Sequence, residues 1–230
     1  MFVVFVSGAV AGLALFVVQR FTVIPLIQTA ETYEAAQRAN SVITHEQEGW
    51  EPAEGWERTG YTAIATILMG IGFAAVLLGS LSFSGTTLNA QRGALWGLAA
   101  FVCFGVAPAI GLPPQPPGTP VAEIGDRQLW WVGTVLATAA GLWLLAGKKR
   151  TWPLRIAGAV CLVLPHLIGV PVASGQNALP AQFVRRFMTS LVSRCVFWLL
   201  VGTVGGFGVE PPLRADEGLK PNEPPRQARH

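Results

Sequence analysis

The chain has 230 residues, of which 51% are apolar and only 13% charged, where an average soluble domain carries about a quarter. Its mean hydropathy of +0.46 agrees, and the net charge of +3 is spread through short connections instead of one basic face, which argues against a nucleic-acid partner. The spacing of the charges excludes a soluble globular domain. None falls between Arg58 and Arg92, between Arg92 and Glu123, or between Arg127 and Lys148, and the interval from Arg155 to Arg185 holds only His166. Each interval is long enough for the roughly 20 apolar residues that cross the hydrocarbon core.

In chain order the apolar runs predict spans over residues 2–27, 60–83, 93–112, 128–147, 154–170 and 187–209, with an outer loop at 28–59. Lipid offers the backbone no water partner, so spans must be helices or closed barrels, and these long uninterrupted runs lack barrel alternation. The expected fold is therefore all-α: a polytopic transmembrane bundle of about six helices occupying residues 1–209. The first run is charge-free from Met1 to Gln19 and has no basic n-region, which predicts a retained helix with Arg20 marking an interface. The sixth contains Arg194, so five spans is the alternative count. The Pro-rich, charged tail over 210–230 is expected to be disordered and cytoplasmic.

Small residues recur at four-residue spacing: Gly8 and Gly12, Gly93 and Gly97, Gly133, Ala137 and Gly141, Gly202 and Gly206. That pattern lets transmembrane helices approach closely. The most basic connections, Lys148 to Arg155 and the tail, place both termini in the cytoplasm. The loop after the first span, carrying Glu31, Glu34, Glu46, Glu48, Glu51, Glu54 and Glu57, then falls outside, although Arg185 and Arg186 would lie outside too. Cys103, Cys161 and Cys195 sit inside apolar runs without a C-x-x-C pair and are expected to be small buried hydrophobes.

Arg92–Pro113 aligned with Arg150–Pro171 at a constant offset matches at Arg92/Arg150, Ala99/Ala157, Val102/Val160, Cys103/Cys161, Ile110/Ile168, Gly111/Gly169 and Pro113/Pro171. An internal repeat of two helical hairpins follows, of the kind that carries binding sites in transporters. Chance matching between Gly/Ala/Val-rich helices is the alternative. Both hairpins end at the outer side in proline-broken helices, Pro108 to Pro113 and Pro165 to Pro171. His166 lies five residues before Pro171, about 7 Å short of the helix end at 1.5 Å per residue. A histidine at membrane depth beside a broken helix is a candidate ligand, and a hydrogen-bonded packing histidine is the bland reading. Glu57 and Asp126 stand at the outer mouths of the hairpins, as ligands or as partners of nearby arginines. His45, Glu46 and Glu48 form a nitrogen/oxygen group suited to a divalent metal at modest affinity. Trp50, Trp56, Trp130 and Trp131 read as an interfacial aromatic belt.

No phosphate loop, H-E-x-x-H or G-x-S-x-G motif is present, which argues against a nucleotide partner and against an enzyme. No permanently bound cofactor is expected. Inward movement of a dication needs no ATP, because a 100 mV inside-negative potential supplies about 4.6 kcal/mol.

The runs Gly49-Trp-Glu-Pro-Ala-Glu-Gly-Trp-Glu57-Arg58-Thr, Gly70-Ile-Gly-Phe-Ala74, Arg92-Gly-Ala-Leu-Trp-Gly-Leu-Ala-Ala-Phe101 and Ala107-Pro-Ala-Ile-Gly-Leu-Pro-Pro114 occur in order with Asp126-Arg-Gln-Leu-Trp-Trp131-Val-Gly-Thr134 and Leu164-Pro-His-Leu-Ile-Gly-Val-Pro171. Together they resemble the predicted cobalt transporter subunits called CbtA. The resemblance implies a bacterial inner-membrane protein in cobalt uptake, supplying cobalamin synthesis, with a small one-helix CbtB-type partner that carries a histidine-rich terminus. Family members often carry several histidines in the first outer loop, where this chain has only His45. The resulting expectation is a bundle that admits Co²⁺ from an acidic outer vestibule past His166, Glu57 and Asp126, with His45, Glu46 and Glu48 as weak recruiting ligands. An accessory or scaffold subunit without its own metal path, and a transporter of another dication such as nickel, are the alternatives.

Overall fold

A computed structural model describes residues 1–39, 50, 52–85, 89–115, 119–147, 150–171 and 190–208. Among these the chain is all-helical: α1 (Phe2–Thr22), α2 (Ile24–Ala39), α3 (Trp56–Phe83), α4 (Ala90–Gly111), α5 (Ile124–Ala146), α6 (Trp152–Ile168) and α7 (Ser190–Phe207). Five of them, α1, α3, α4, α5 and α7, are long and apolar enough to cross a membrane. With 17 residues, α6 is about 25 Å long at 1.5 Å per residue, somewhat less than the roughly 30 Å hydrocarbon core.

The first run does not continue as one helix to residue 27. It breaks at Val23, because Pro25 has no N–H to give and its ring crowds the carbonyl four residues back. The chain restarts with Pro25 in the first turn of α2 and stays helical to Ala39, so the stretch expected to be loop from residue 28 begins as helix. Helix-favouring Leu, Gln, Glu and Ala residues support it.

Four helices, α1, α3, α4 and α7, share the core. Ala11, Leu15, Ala74, Leu77, Ala100, Phe197, Trp198 and Val201 are buried together. Phe73 meets Phe104, Phe197 and Trp198 edge-on at 5.1–6.3 Å between ring centres, and Phe104 stacks on Trp198 at 5.1 Å. Lipid tails are as apolar as these side chains, so burial alone does not draw the helices together. Close backbone approach does. A Cβ on Gly8 would stand 2.7 Å from the Gly70 carbonyl oxygen, and one on Gly12 2.8 Å from that of Thr66, which locks α1 onto α3. A Cβ on Gly93 would lie 3.1 Å from the Gly206 Cα, and one on Gly206 2.5 Å from the Asn89 carbonyl oxygen, which locks α4 onto α7.

The remaining pair, α5 and α6, packs against itself and touches the core through the second half of α4. A Cβ on Gly141 would fall 2.8 Å from the Gly158 carbonyl oxygen, so these two helices meet through the same kind of contact. The two hairpins expected from the repeat are thus not equivalent in packing. While α5 lies directly on α6, α3 packs chiefly on α1 and α4 on α7. The reason is the partner supplied by each glycine face, since Gly93 and Gly97 meet α7, whereas Gly141 of α5 meets α6. The two segments also differ internally. Val102–Val106 form a π-helical turn within α4, in which the Ala107 amide reaches back to the Val102 carbonyl, and the widened turn accommodates Pro108. The corresponding stretch of α6 is regular α-helix and takes its proline, Pro165, inside the helix.

Gly208 at the end of α7 lies against Val3 at the start of α1, so both ends of the bundle's chain fall on one face. The opposite face carries the starts of α3 and α5 and the ends of α4 and α6. Large apolar side chains, among them Phe5, Phe21, Leu68, Leu95, Leu136 and Leu167, cover the outer surface, as a lipid-facing bundle requires.

Gly93→Val and Gly202→Val are expected to push α4 and α7 apart and cost about 1–3 kcal/mol each. Gly133, where a Cβ would meet nothing within 4 Å, should accept alanine with no loss, or with a gain of about 0.5–1 kcal/mol. Thermal melting of the three purified variants in one detergent distinguishes these outcomes.

Candidate functional site

Histidine, tryptophan and two glycines meet where α4, α5 and α6 end or begin. The last carbonyls of any helix lack an intrahelical donor. In α6 one of them, that of Pro165, accepts from the Trp130 indole Nε1 of α5 at 3.3 Å. The helix then stops at Gly169, whose φ of +100° suits a residue without a side chain. Its repeat counterpart Gly111 serves differently. A Cβ there would lie 2.6 Å from Cζ2 of the Trp130 indole and 2.9 Å from Val170, so the absent side chain is what lets the indole enter between α4 and α6.

The His166 ring packs edge-on against Trp130 at 5.8 Å between ring centres. Its Nδ1 is buried and has no hydrogen-bond partner among the described residues. Leaving a buried nitrogen without a partner costs about 1–3 kcal/mol. Asp126 lies in the first turn of α5, four residues before Trp130, and therefore on the same helix face one turn further out. Its carboxylate is exposed. The structure thus brings Asp126 and His166 to the same end of the α5–α6 pair.

Glu57 is placed elsewhere. It is exposed in the first turn of α3, which packs chiefly on α1. Its neighbour Arg58 is the organising charge of that region. The guanidinium takes both oxygens of Glu31 on α2, one through Nη2 and the other through Nη1 at 3.0 Å, and Nη1 also donates to Glu54 at 2.6 Å. A two-pronged arginine–carboxylate pair fixes direction as well as distance, and here it clips α2 to the start of α3. His45, Glu46 and Glu48 lie outside the described residues. Among the described residues no three His, Cys, Asp or Glu side chains are grouped so as to hold a metal ion.

The sequence alone assigned Trp130 to the interfacial belt and missed its role as the cap of α6. No local signal marks it, because the indole's partner lies 35 residues away. The Glu54–Arg58 pair is legible as an i,i+4 spacing, whereas the stronger Glu31–Arg58 link depends on how α2 folds back.

All-helical among the described residues, with five long apolar helices and a lipid-like exterior, the chain is a polytopic membrane protein. The sequence profile of the family described as "Probable cobalt transporter subunit (CbtA)" matches residues 1–210. The chain belongs to this family. No curated protein and no solved structure matches it.

Trp130→Phe removes only the indole donor and is expected to cost about 1 kcal/mol. Amide exchange after Ile168 should quicken while the α1–α3 contacts keep their protection. Glu31→Gln leaves Arg58 with Glu54 alone. With these side chains about a third exposed, the loss should be no more than about 1 kcal/mol, and the gain in mobility should be confined to α2, as spin labels on that helix can report.

Proposed function

We propose that the chain is the membrane-embedded subunit of a cobalt uptake system and receives Co²⁺ at the end of the bundle that carries Asp126 and His166. Membership of a family of probable cobalt transporter subunits supports the substrate. The observation that carries the site is the buried, unpartnered Nδ1 of His166 beside the end of α6. Imidazole nitrogen is a good ligand for a first-row dication, and a neighbouring carboxylate offsets part of its charge. The exposed Asp126 supplies that carboxylate one turn further out, and Glu57 extends the acidic rim across the same face. His45, Glu46 and Glu48 in the outer loop serve as weak recruiting ligands in this reading. Sparse ligands favour passage over retention, since conduction needs a site that is easy to leave.

Placement follows from charge. With the basic connections on the cytoplasmic side of a bacterial inner membrane, both termini are cytoplasmic and the His166 end faces outward. The contact of Gly208 with Val3 supports placing the start of α1 and the end of α7 on one side. A one-helix partner of the CbtB type, with its histidine-rich terminus, would complete the ligand set that the described residues do not form.

A second reading is favoured by that same shortage of grouped ligands: an accessory subunit whose partner carries the metal. Uptake of labelled cobalt by cells expressing the chain with its partner separates the two. His166→Ala should lower uptake about tenfold or more, and unchanged uptake would remove His166 from the path. If Glu57→Gln, Asp126→Asn and His166→Ala combined still transport, the accessory reading stands. Competition by nickel in the same assay reports the metal preference.

A further inference from the structure

The elbow between α1 and α2 leaves a recess of about 400 Å³ against the start of α3, lined among others by Arg20, Ile24, Ile27, Glu54, Trp56 and Arg58. The metal path uses none of it, and its volume lies in the range of small-ligand sites, about 300–1,000 Å³. Two features of its lining point to one class of ligand. Arg20 makes no ion pair among the described residues. Glu54 gives Arg58 one carboxylate oxygen, Oε1, and keeps the other available. By contrast, both oxygens of Glu31 are taken by Arg58.

Depth supplies the third argument. Arg20 follows a charge-free run from Met1 to Gln19, so it stands where the hydrocarbon ends and lipid phosphates begin. Trp56 is exposed at the same level, as interfacial aromatics are. Ile24 and Ile27 add apolar wall to an otherwise polar recess.

We propose that this recess holds the headgroup of a zwitterionic phospholipid with a primary ammonium, the phosphoethanolamine type, with phosphate on Arg20 and ammonium on Glu54. Arg20 and Arg58 balance Glu31 and Glu54, so an anionic lipid meets no net attraction, whereas a headgroup that carries both charges meets a partner for each. A choline headgroup lacks the N–H donors that a carboxylate accepts. The isoleucines favour a glycerol ester over the free phosphate compound. The assignment is independent of cobalt and adds a lipid ligand at the elbow that clips α2 in place.

The test is lipid retention by the full chain in nanodiscs of phosphatidylcholine doped with phosphatidylethanolamine or phosphatidylglycerol, read by native mass spectrometry. Phosphatidylethanolamine should be retained over both other lipids by about tenfold, as one charge-assisted hydrogen bond implies. Arg20→Gln and Glu54→Gln should each abolish the preference, and Arg20→Lys should keep part of it. Ile27→Trp, which fills the recess and leaves both charges intact, should also evict the lipid, and unchanged melting temperatures confirm that the variants fold. Equal retention of phosphatidylglycerol, or a preference that survives Arg20→Gln or Glu54→Gln, overturns the proposal. So does displacement by an equal concentration of soluble phosphoethanolamine, which would make the free compound the ligand.

Discussion

Backbone-to-backbone contact at glycine holds this protein together. In a bilayer the hydrophobic effect has already acted once the helices are inserted, and association depends on packing and on dipole contacts at close range. Gly8 and Gly12 let α1 touch α3, Gly93 and Gly206 let α4 touch α7, and Gly141 and Gly158 let α5 touch α6. Any side chain at those points moves two helices, not one. The buried aromatic cluster of Phe73, Phe104, Phe197 and Trp198 fills the space left where the four core helices cross. It is a consequence of those crossings more than their cause.

Because the contacts pair α1 with α3 and α4 with α7, the α5–α6 pair is left at the side of the core, joined through the second half of α4. That position gives the region around His166 its character. A π-helical turn and Pro108 lie in the last part of α4, Trp130 caps α6, and Gly111 makes room for the indole. Three helices therefore finish or start within one polar knot at a single face of the bundle. The buried Nδ1 of His166 has no hydrogen-bond partner there among the described residues. On the α1–α3 side the charges are instead largely satisfied, with Arg58 drawing α2 down onto α3. One end of the molecule thus has two polar regions, one organised by Arg58 and one around His166.

The sequence by itself determined the helical membrane class, because charge-free runs of that length have no other stable form in lipid. It also marked His166 and the proline-bearing ends of α4 and α6, although neither helix breaks at Pro108 or Pro165. Glycine spacing announced close packing at Gly8, Gly93, Gly141 and Gly202, where helices do meet, and also at Gly133, which instead faces open space. Spacing shows that a face is smooth and does not name the helix that meets it. For that reason the repeat of two hairpins is readable in residues and absent from the packing.

Tertiary structure alone decided which helices pair, that Trp130 belongs to α6 as much as to α5, that Glu31 reaches Arg58, and that Glu57 stands apart from His166. Each is a contact between residues distant in the chain, fixed by helix crossings and by the Pro25 elbow. Local propensity carries no record of such contacts. Composition settles what solvent a segment must meet; only the folded bundle settles which neighbour it meets there.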